Sequence, residues 1–337
     1  MFRRAVQRGR TAHAYLFLGP AGVGKRLFAE HVAQALFCGR CDDTELDACG
    51  SCSGCKQVLS GTHPDLLTVG LPDGKRELPI EAFVGSEDRR GREGLLKELS
   101  LRPMTATRRI AIIDDADRMN EASANALLKT LEEPPPNSIL ILISPSSDAL
   151  LPTIRSRCQP LLFSALSEQD VAELIVQLDW DRDPAVAAVI ARLSEGSLDT
   201  ARQLMDPGLR ALREMVSEMF SSHPFAPIEG SQCLLKGLEE LGGGSAGQRE
   251  NAGWWLRFAI DFLRQSLAPI EDVSPAMQKF RRRHPTEDPD AADRIAGALD
   301  RCLMATRQLH QSMPVPLCLE SLLHDVSCLL RGVLVMT

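Results

Sequence analysis

The sequence predicts an α/β domain with a parallel sheet, followed by helical domains. In the first half, continuous apolar runs alternate with segments of helical periodicity, the pattern of a parallel sheet covered by helices on both faces. After Phe163, helical patterns dominate to the end of the chain. With 337 residues, the chain is long enough for two or three domains.

The predicted strands are short runs of mostly apolar residues. In chain order they are 15–18 (YLFL), 65–69 (DLLTV), 110–114 (IAIID), 138–143 (SILILI) and 161–163 (LLF). The charged, turn-rich segment 71–92 is predicted to be a loop.

Changes in composition divide the chain into three predicted domains: residues 1–164, 165–206 and 207–337. A helix-start signature at 167–170 (SEQD) opens the second domain, and Asp206-Pro207-Gly208 marks its end. Within the third domain, 242–247 (GGGSAG) is predicted to be a flexible loop between helices.

A phosphate-binding loop, GPAGVGK, follows the first predicted strand. Gly19, Gly22 and Gly24 let backbone N–H groups turn towards phosphate oxygens, and Lys25 can reach the terminal phosphates of ATP. The motif calls for Ser or Thr after the lysine, because that hydroxyl holds Mg²⁺. Here the residue is Arg26, which offers no lone pair and carries a positive charge. The sequence leaves nucleotide binding open and disfavours efficient hydrolysis.

Two carboxylates, Asp114 and Asp115, stand at the end of the predicted strand 110–114. In an open parallel sheet this edge faces the ligand crevice, where the first acid helps to hold Mg²⁺ and the next orients water. Asp115 is one methylene shorter than the usual Glu, which weakens its case as a base. The alternative is a turn after a strand. Beside the phosphate loop, we favour a nucleotide site.

The ten cysteines include a cluster that suits a metal. Three lie at C-x₂-C-x₂-C spacing: Cys49, Cys52 and Cys55. Four thiolates hold tetrahedral zinc well, and the fourth ligand is either Cys38 or Cys41. His63 is predicted to be a loop residue. An iron–sulfur cluster or a redox pair is the alternative use of these thiols.

The charge balance argues against a protein that binds nucleic acid mainly through its own surface. There are 38 basic and 45 acidic residues, a net charge of −7. Basic clusters at Arg3-Arg4, 89–92 and 281–283 are predicted to be solvated surface. With no visible signal peptide and no apolar run of membrane-spanning length, we expect a cytoplasmic protein whose cysteines stay reduced.

Four motifs in this order resemble the clamp-loader subunits of bacterial DNA polymerase III. They are 13–25 (HAYLFLGPAGVGK), the cysteine cluster, 125–135 (NALLKTLEEPP) and 156–158 (SRC). The resemblance covers roughly the first two hundred residues. It implies a P-loop AAA+ domain over 1–164, a small helical lid over 165–206 and an all-α C-terminal collar over 207–337. It also implies a zinc module at about 38–55, with Cys38 as the first ligand at the end of the phosphate-loop helix.

That family contains ATP-hydrolysing motor subunits, gamma/tau, and a non-hydrolysing stator. Arg26 replaces the hydroxyl, Asp115 replaces the Glu, and Asp199 stands where the motors have an arginine. These three departures predict a stator with no ATPase of its own. The resemblance implies that Arg157 acts in trans, as an arginine finger in the ATP site of a neighbouring subunit. The alternative for Arg157 is a salt bridge that closes the domain.

The resemblance implies gamma/tau and delta subunits as partners, with the sliding clamp and primed DNA reached through the complex. The rival prediction is an active gamma/tau-type ATPase. A zinc-dependent DNA-binding module is disfavoured by the net acidity and the lack of a basic strip with interleaved aromatic residues. Family members usually carry a further N-terminal segment near the adenine. Because this chain begins just before His13, we expect that part of the pocket to be missing or truncated.

Overall fold

The chain forms two compact units in a computed structural model. One comprises Met1–Val171 with Glu195–Asp199, and the other Ala172–Ser194 with Thr200–Thr337. The structure describes residues 6–7, 11–72, 75, 77–222, 226–268, 273–285 and 288–332.

The first unit contains a five-stranded sheet in the order β2-β3-β4-β1-β5, and every pair of neighbouring strands is parallel. The strands are β1 (Ala14–Leu18), β2 (Leu66–Val69), β3 (Arg109–Ile113), β4 (Ser138–Ser144) and β5 (Gln159–Leu162). The three central strands are buried along their whole length, which is why they consist of apolar runs rather than alternating patterns. The sheet and the helices after it confirm the predicted P-loop AAA+ class with helical domains.

Fifteen helices are described among the ordered elements. They are α1 (Lys25–Leu36), α2 (Ser53–Leu59), α3 (Glu81–Val84), α4 (Leu95–Leu99), α5 (Glu121–Glu132), α6 (Pro152–Arg155), α7 (Glu168–Gln177), α8 (Pro184–Leu193), α9 (Leu198–Gln203), α10 (Pro207–Ser221), α11 (Pro227–Glu240), α12 (Gly244–Leu267), α13 (Pro275–Arg283), α14 (Pro289–His310) and α15 (Val315–Arg331). Short 3₁₀ turns lie at Asp43–Glu45, Glu87–Arg89 and Ala116–Arg118.

Both faces of the sheet carry a core, because successive strand side chains point to opposite sides. Leu16 and Leu18 join the cluster formed with α3 to α6, whereas Tyr15 and Phe17 join the cluster formed with α1 and α2. Asn120 caps α5, since its side chain accepts the N–H of Ser123 at 2.9 Å.

The prediction of a loop over 71–92 is wrong in part. The segment contains α3, a 3₁₀ turn and the fully buried Phe83, which packs into the sheet core. Leu78 is also fully buried in that core, so apolar residues anchor a segment that is otherwise rich in charge.

The prediction of a flexible loop at 242–247 is also wrong in part, because α12 already begins at Gly244. Only Gly242 and Gly243, with φ values of 77° and 90°, lie before it in the left-handed conformation. In the same unit, Trp255 is fully buried and Phe258 and Phe262 are nearly so, which places the aromatic residues of α12 in the core.

Arg281 and Arg283 are half-buried and hydrogen-bonded to backbone carbonyls, so the prediction of a fully solvated surface is wrong for both. Arg281 donates to the carbonyls of Gln265 and Ala268, and Arg283 donates to three carbonyls at the end of α10. Arg282 between them is exposed, as are residues 89–92. The cluster Arg3-Arg4 lies outside the described residues. Across the described part of the chain, every helix falls short of the length or the apolar character that a membrane crossing requires.

Candidate nucleotide and metal sites

The phosphate loop joins β1 to α1, in the strand, loop and helix order that the motif predicts. Gly22 and Gly24 have φ values of 73° and 88°, a conformation that favours glycine. Lys25 Nζ donates to the carbonyl oxygens of Gly19 and Pro20, each at 2.6 Å. Burial lowers the pKa of Lys25, although surrounding carboxylates act in the opposite direction. The lysine therefore already has acceptors within its own loop.

Arg26 pairs with the carboxylate that the sequence predicts as a magnesium ligand. Its Nη1 lies 3.2 Å from Asp114 Oδ2, and its Nε lies 3.0 Å from Glu30 Oε1. The hydrogen bond to Glu30, and then the charge of Asp114, raise the pKa of Arg26. A fixed cation of the chain thus neutralises Asp114 at the place where a hydrolase of this type would use Mg²⁺.

Asp115 is engaged with the backbone. Its Oδ2 accepts the N–H of Leu71 at 3.3 Å, just beyond the end of β2, and its own N–H donates to Asp114 Oδ1 at 3.0 Å. Its φ of 51° is in the left-handed region, which Asp tolerates better than most residues. These contacts give Asp115 a turn-forming role, in addition to its position at the end of the strand.

The segment Glu195–Asp199 packs directly on the phosphate loop. Leu198 donates its N–H to the carbonyl of Gly22 at 2.8 Å. A Cβ placed on Gly22 would meet Ser197 Oγ at 2.1 Å and Asp199 Cβ at 3.1 Å. Asp199, which stands where the motor subunits are expected to carry an arginine, is therefore adjacent to the phosphate loop.

Four carboxylates act on the charge of Lys25: Asp114, Asp117, Asp199 and Asp115. Asp117, on the 3₁₀ turn after β3, was not predicted as a site residue. Nor was Glu30, although it follows Arg26 by four residues on one helix face, a spacing that indicates an ion pair.

Arg157 follows the short helix α6 and is about a third exposed. Its Nη2 lies 2.8 Å from Glu132 Oε1, at the end of α5. Its Nη1 donates to the carbonyl of Thr153 at 2.9 Å and to Ser156 Oγ at 3.3 Å. Glu132 belongs to the predicted LEEPP motif, so two separate sequence motifs meet in this ion pair.

The predicted metal ligands come together. The sulfur atoms of Cys38, Cys49, Cys52 and Cys55 all lie within 4.8 Å of one another. Cys41 is outside this group, and instead donates its backbone N–H to Cys38 Sγ at 3.4 Å. The structure thus favours Cys38 over Cys41 as the fourth ligand.

The geometry and environment of the four sulfurs fit zinc. A Zn–S bond of about 2.3 Å places tetrahedral sulfurs about 3.8 Å apart, and the pairs Cys49–Cys55 and Cys38–Cys52 lie at 4.0 Å. Backbone N–H groups, led by that of Cys49, lower the pKa of Cys38 to about 5. A thiolate is the form that binds metal.

His63 is a structural loop residue, as predicted. It is buried and stacks on Phe37, with ring centroids 4.1 Å apart and an angle of 7° between the planes. Its Nδ1 accepts the N–H of Asp65 at 3.1 Å. This bond uses one ring nitrogen in the backbone turn, and His63 is not among the clustered ligands.

The sheet order and the phosphate loop define a P-loop protein with an altered nucleotide site. The family described as "DNA polymerase III, delta subunit" matches residues 1–167. DNA polymerase III subunit delta' of Pseudomonas aeruginosa is 36% identical over 277 residues, which cover 79% of this chain and 76% of that protein. The chain belongs to the DNA polymerase III subunit delta' family.

Other relatives match shorter stretches. Subunit delta' of Bacillus subtilis is 34% identical over 192 residues, covering 56% of this chain and about half, 53%, of its own length. Subunit tau of Escherichia coli is 32% identical over 235 residues, covering 67% of this chain and 34% of its own length. The similarity thus extends to the tau subunits.

Proposed function

We propose that this chain is the non-hydrolysing stator of the bacterial DNA polymerase III clamp loader, which helps to place the sliding clamp on primed DNA. Its partners would be the gamma/tau and delta subunits, in the cytoplasm. The domain division at residues 164 and 206, into AAA+ domain, lid and collar, belongs to the same proposal. One observation carries it: the ion pair between Arg26 and Asp114 at the magnesium position.

Mg²⁺ bridges the phosphates of ATP and neutralises the charge that develops during phosphoryl transfer. A divalent ion beside Asp114 would have to displace the guanidinium of Arg26 or lie next to a like charge. Arg26 is also held by Glu30 at 3.0 Å, so leaving Asp114 would not free it from the helix. This arrangement disfavours metal-dependent hydrolysis by the chain itself.

The rest of the loop supports the same conclusion. Lys25 is bonded to two loop carbonyls, and the segment ending at Asp199 packs against Gly22. Asp199 adds negative charge where the motor subunits carry an arginine, and it would repel phosphates. A bound nucleotide would therefore have to displace contacts that the chain makes with itself.

Arg157 is the residue proposed to act in trans. A guanidinium is planar, remains charged and matches phosphoryl oxygens. It is partly exposed and follows the short helix α6. Arginine fingers of this kind are worth roughly 10³–10⁵ in rate at the site that they enter.

We further propose that the cysteine cluster holds a structural zinc ion. Its four ligands leave no open coordination position, which is typical of a structural site rather than a catalytic one. The cluster joins the end of α1 to α2, so the metal would brace this insertion against the sheet domain.

The rival function is an active gamma/tau-type ATPase, which the intact GPAGVGK loop favours. To separate the two, the purified chain is assayed alone for ATP hydrolysis and ATP binding, and then with the motor and delta subunits. We expect no turnover by the chain alone and one stoichiometric complex on co-elution. Hydrolysis by the lone chain, at rates like those of the motors, would refute the stator proposal.

The finger is tested by Arg157→Ala in the reconstituted complex. We expect turnover at the adjoining motor site to fall by about 10³–10⁵, while co-elution stays intact. Arg155→Ala is the matched control, because Arg155 is similarly exposed and has its own ion pair with Asp148 at 3.3 Å. Unchanged turnover in the Arg157 variant would remove the finger from the proposal.

A further inference from the structure

The contacts of Arg157 divide into two groups with different chemistry. On one side, Nη1 is anchored by the Thr153 carbonyl at 2.9 Å and by the Ser156 hydroxyl at 3.3 Å, both close in sequence. On the other side, Nη2 meets the Glu132 carboxylate at 2.8 Å, which arrives from the distant helix α5. The first group fixes the arginine to its own turn, and the second supplies an anionic oxygen.

A carboxylate oxygen and a phosphoryl oxygen accept the same charge-assisted bonds from a guanidinium. The pair is accessible, because the Arg157 side chain is 35% exposed and that of Glu132 is 52% exposed. An incoming phosphate could therefore take the place of Glu132 at Nη2 while the anchor at Nη1 is kept. Only one contact would change.

The position of Glu132 at a helix C-terminus also favours a cation beside its carboxylate. It is the last residue of α5, and Glu133 follows it at the C-cap. A helix C-terminus carries partial negative charge, so acids there are unfavourable and a nearby cation is favourable. Arg157 provides that cation, and its withdrawal would leave two carboxylates at the negative end of a helix.

We propose that Glu132 is a positioning residue for Arg157, a carboxylate that holds the guanidinium until a phosphate of the neighbouring subunit's nucleotide displaces it. This inference rests on the proposed trans-acting role of Arg157. Because the phosphate competes with Glu132 for the same donor, Glu132 weakens the apparent affinity of the adjoining site for ATP. Once displacement is complete, the finger acts at full strength.

The expected signature is a change in KM without a change in kcat. Glu132→Gln keeps the size of the side chain but removes the competing charge. We expect the KM for ATP to fall about two- to fivefold, the upper part of the range that exposed ion pairs are worth. kcat should be unchanged because Arg157 and its Nη1 anchor remain.

The test uses the reconstituted complex, with ATP as the probe and steady-state turnover as the readout. The component of turnover that Arg157→Ala removes is taken as the adjoining site, and its kcat and KM are compared between wild type and Glu132→Gln. Glu133→Gln is the matched control, since Glu133 is exposed and its side chain makes no hydrogen bond or ion pair with the described residues. Co-elution and thermal melting verify that every variant folds and assembles.

A lower KM in Glu132→Gln, with kcat unchanged and with no such shift in Glu133→Gln, supports the inference. An unchanged or raised KM, a reduced kcat, or the same shift in Glu133→Gln overturns it. If Arg157→Ala itself leaves turnover intact, the finger proposal fails and takes the role of Glu132 with it. If Arg157→Ala abolishes the component but Glu132→Gln changes nothing, only the role of Glu132 is lost.

Discussion

Arg283 offers a direct test of how the helical unit is held together. It lies at the end of α13 and reaches the C-terminus of α10, whose last carbonyls have no helical N–H partner. Its Nη1 donates to the Ser222 carbonyl at 2.6 Å, and its Nη2 donates to the carbonyls of Phe220, at 3.2 Å, and of Ser221. Arg283→Ala removes all three bonds at once.

The size of the effect follows from these contacts. A cation at a helix C-terminus is worth about 0.3–1 kcal/mol when exposed and up to about 2 kcal/mol when partly buried. Hydrogen bonds from charged groups are worth about 1.5–3 kcal/mol each where water cannot replace them. Arg283 is only partly buried, so water can reach some of the freed carbonyls. We therefore expect Arg283→Ala to lower the free energy of unfolding by about 1.5–3 kcal/mol.

Urea unfolding of the isolated chain, followed by circular dichroism, measures this change in the transition of the helical unit. The neighbouring Arg282→Ala is the matched control: Arg282 is exposed, and its side chain makes no ion pair or hydrogen bond with the described residues. Its effect should stay within about 0.5 kcal/mol. Equal destabilisation by the two variants would refute the capping argument, because both would then report only the loss of a basic side chain.

Two further predictions concern the sheet unit. Elemental analysis of the purified protein should find about one zinc ion per chain. The Cys52→Ser variant should lose this zinc, and the Cys41→Ser variant should keep it. Metal-free wild-type protein with four free thiols would contradict the zinc site. Asp65 is fully buried; burial raises its pKa, but backbone N–H bonds from Met104, Thr105 and Ala106 outweigh this and lower it overall. Its contribution is therefore present above the pKa of an unfolded Asp and is lost as pH falls through the lower folded value. Asp65→Asn also removes one of the two carboxylates that pair with the buried Arg109, at 3.5 Å, while Glu98 remains at 3.6 Å. The variant should cost about 2–4 kcal/mol near pH 7 and much less in acid. A cost independent of pH would argue against this account.

The strands and the phosphate loop could be predicted because their signals are local. A buried parallel strand must be apolar along its length, and β3 and β4 are. The pairing of Arg26 with Asp114 could not be predicted, since 88 residues separate them and the sheet order alone brings them together. Spacing alone leaves Cys38 and Cys41 open as the fourth ligand. The family resemblance predicted Cys38, and the structure groups its sulfur with the other three.

Predictions from local composition were wrong for two kinds of run, one of arginines and one of glycines. Arginines in a run indicate solvated surface, but Arg281 and Arg283 are held by carbonyls from elements distant in sequence. Glycines in a run indicate flexibility, yet Gly244 opens a helix of 24 residues that packs on its neighbours. In both cases tertiary contacts outweigh the local structural preference, and these contacts cannot be predicted from the local sequence.

Two glycines of the phosphate loop are required by packing, whether or not a ligand binds. A side chain on Gly19 would come within 2.1 Å of the Phe163 carbonyl, just as one on Gly22 would strike Ser197. Any chain with this backbone would need glycine at both places, even if it never met a nucleotide. The glycine pattern alone would therefore identify this loop as a nucleotide site, although packing against Phe163 and Ser197 requires the same glycines.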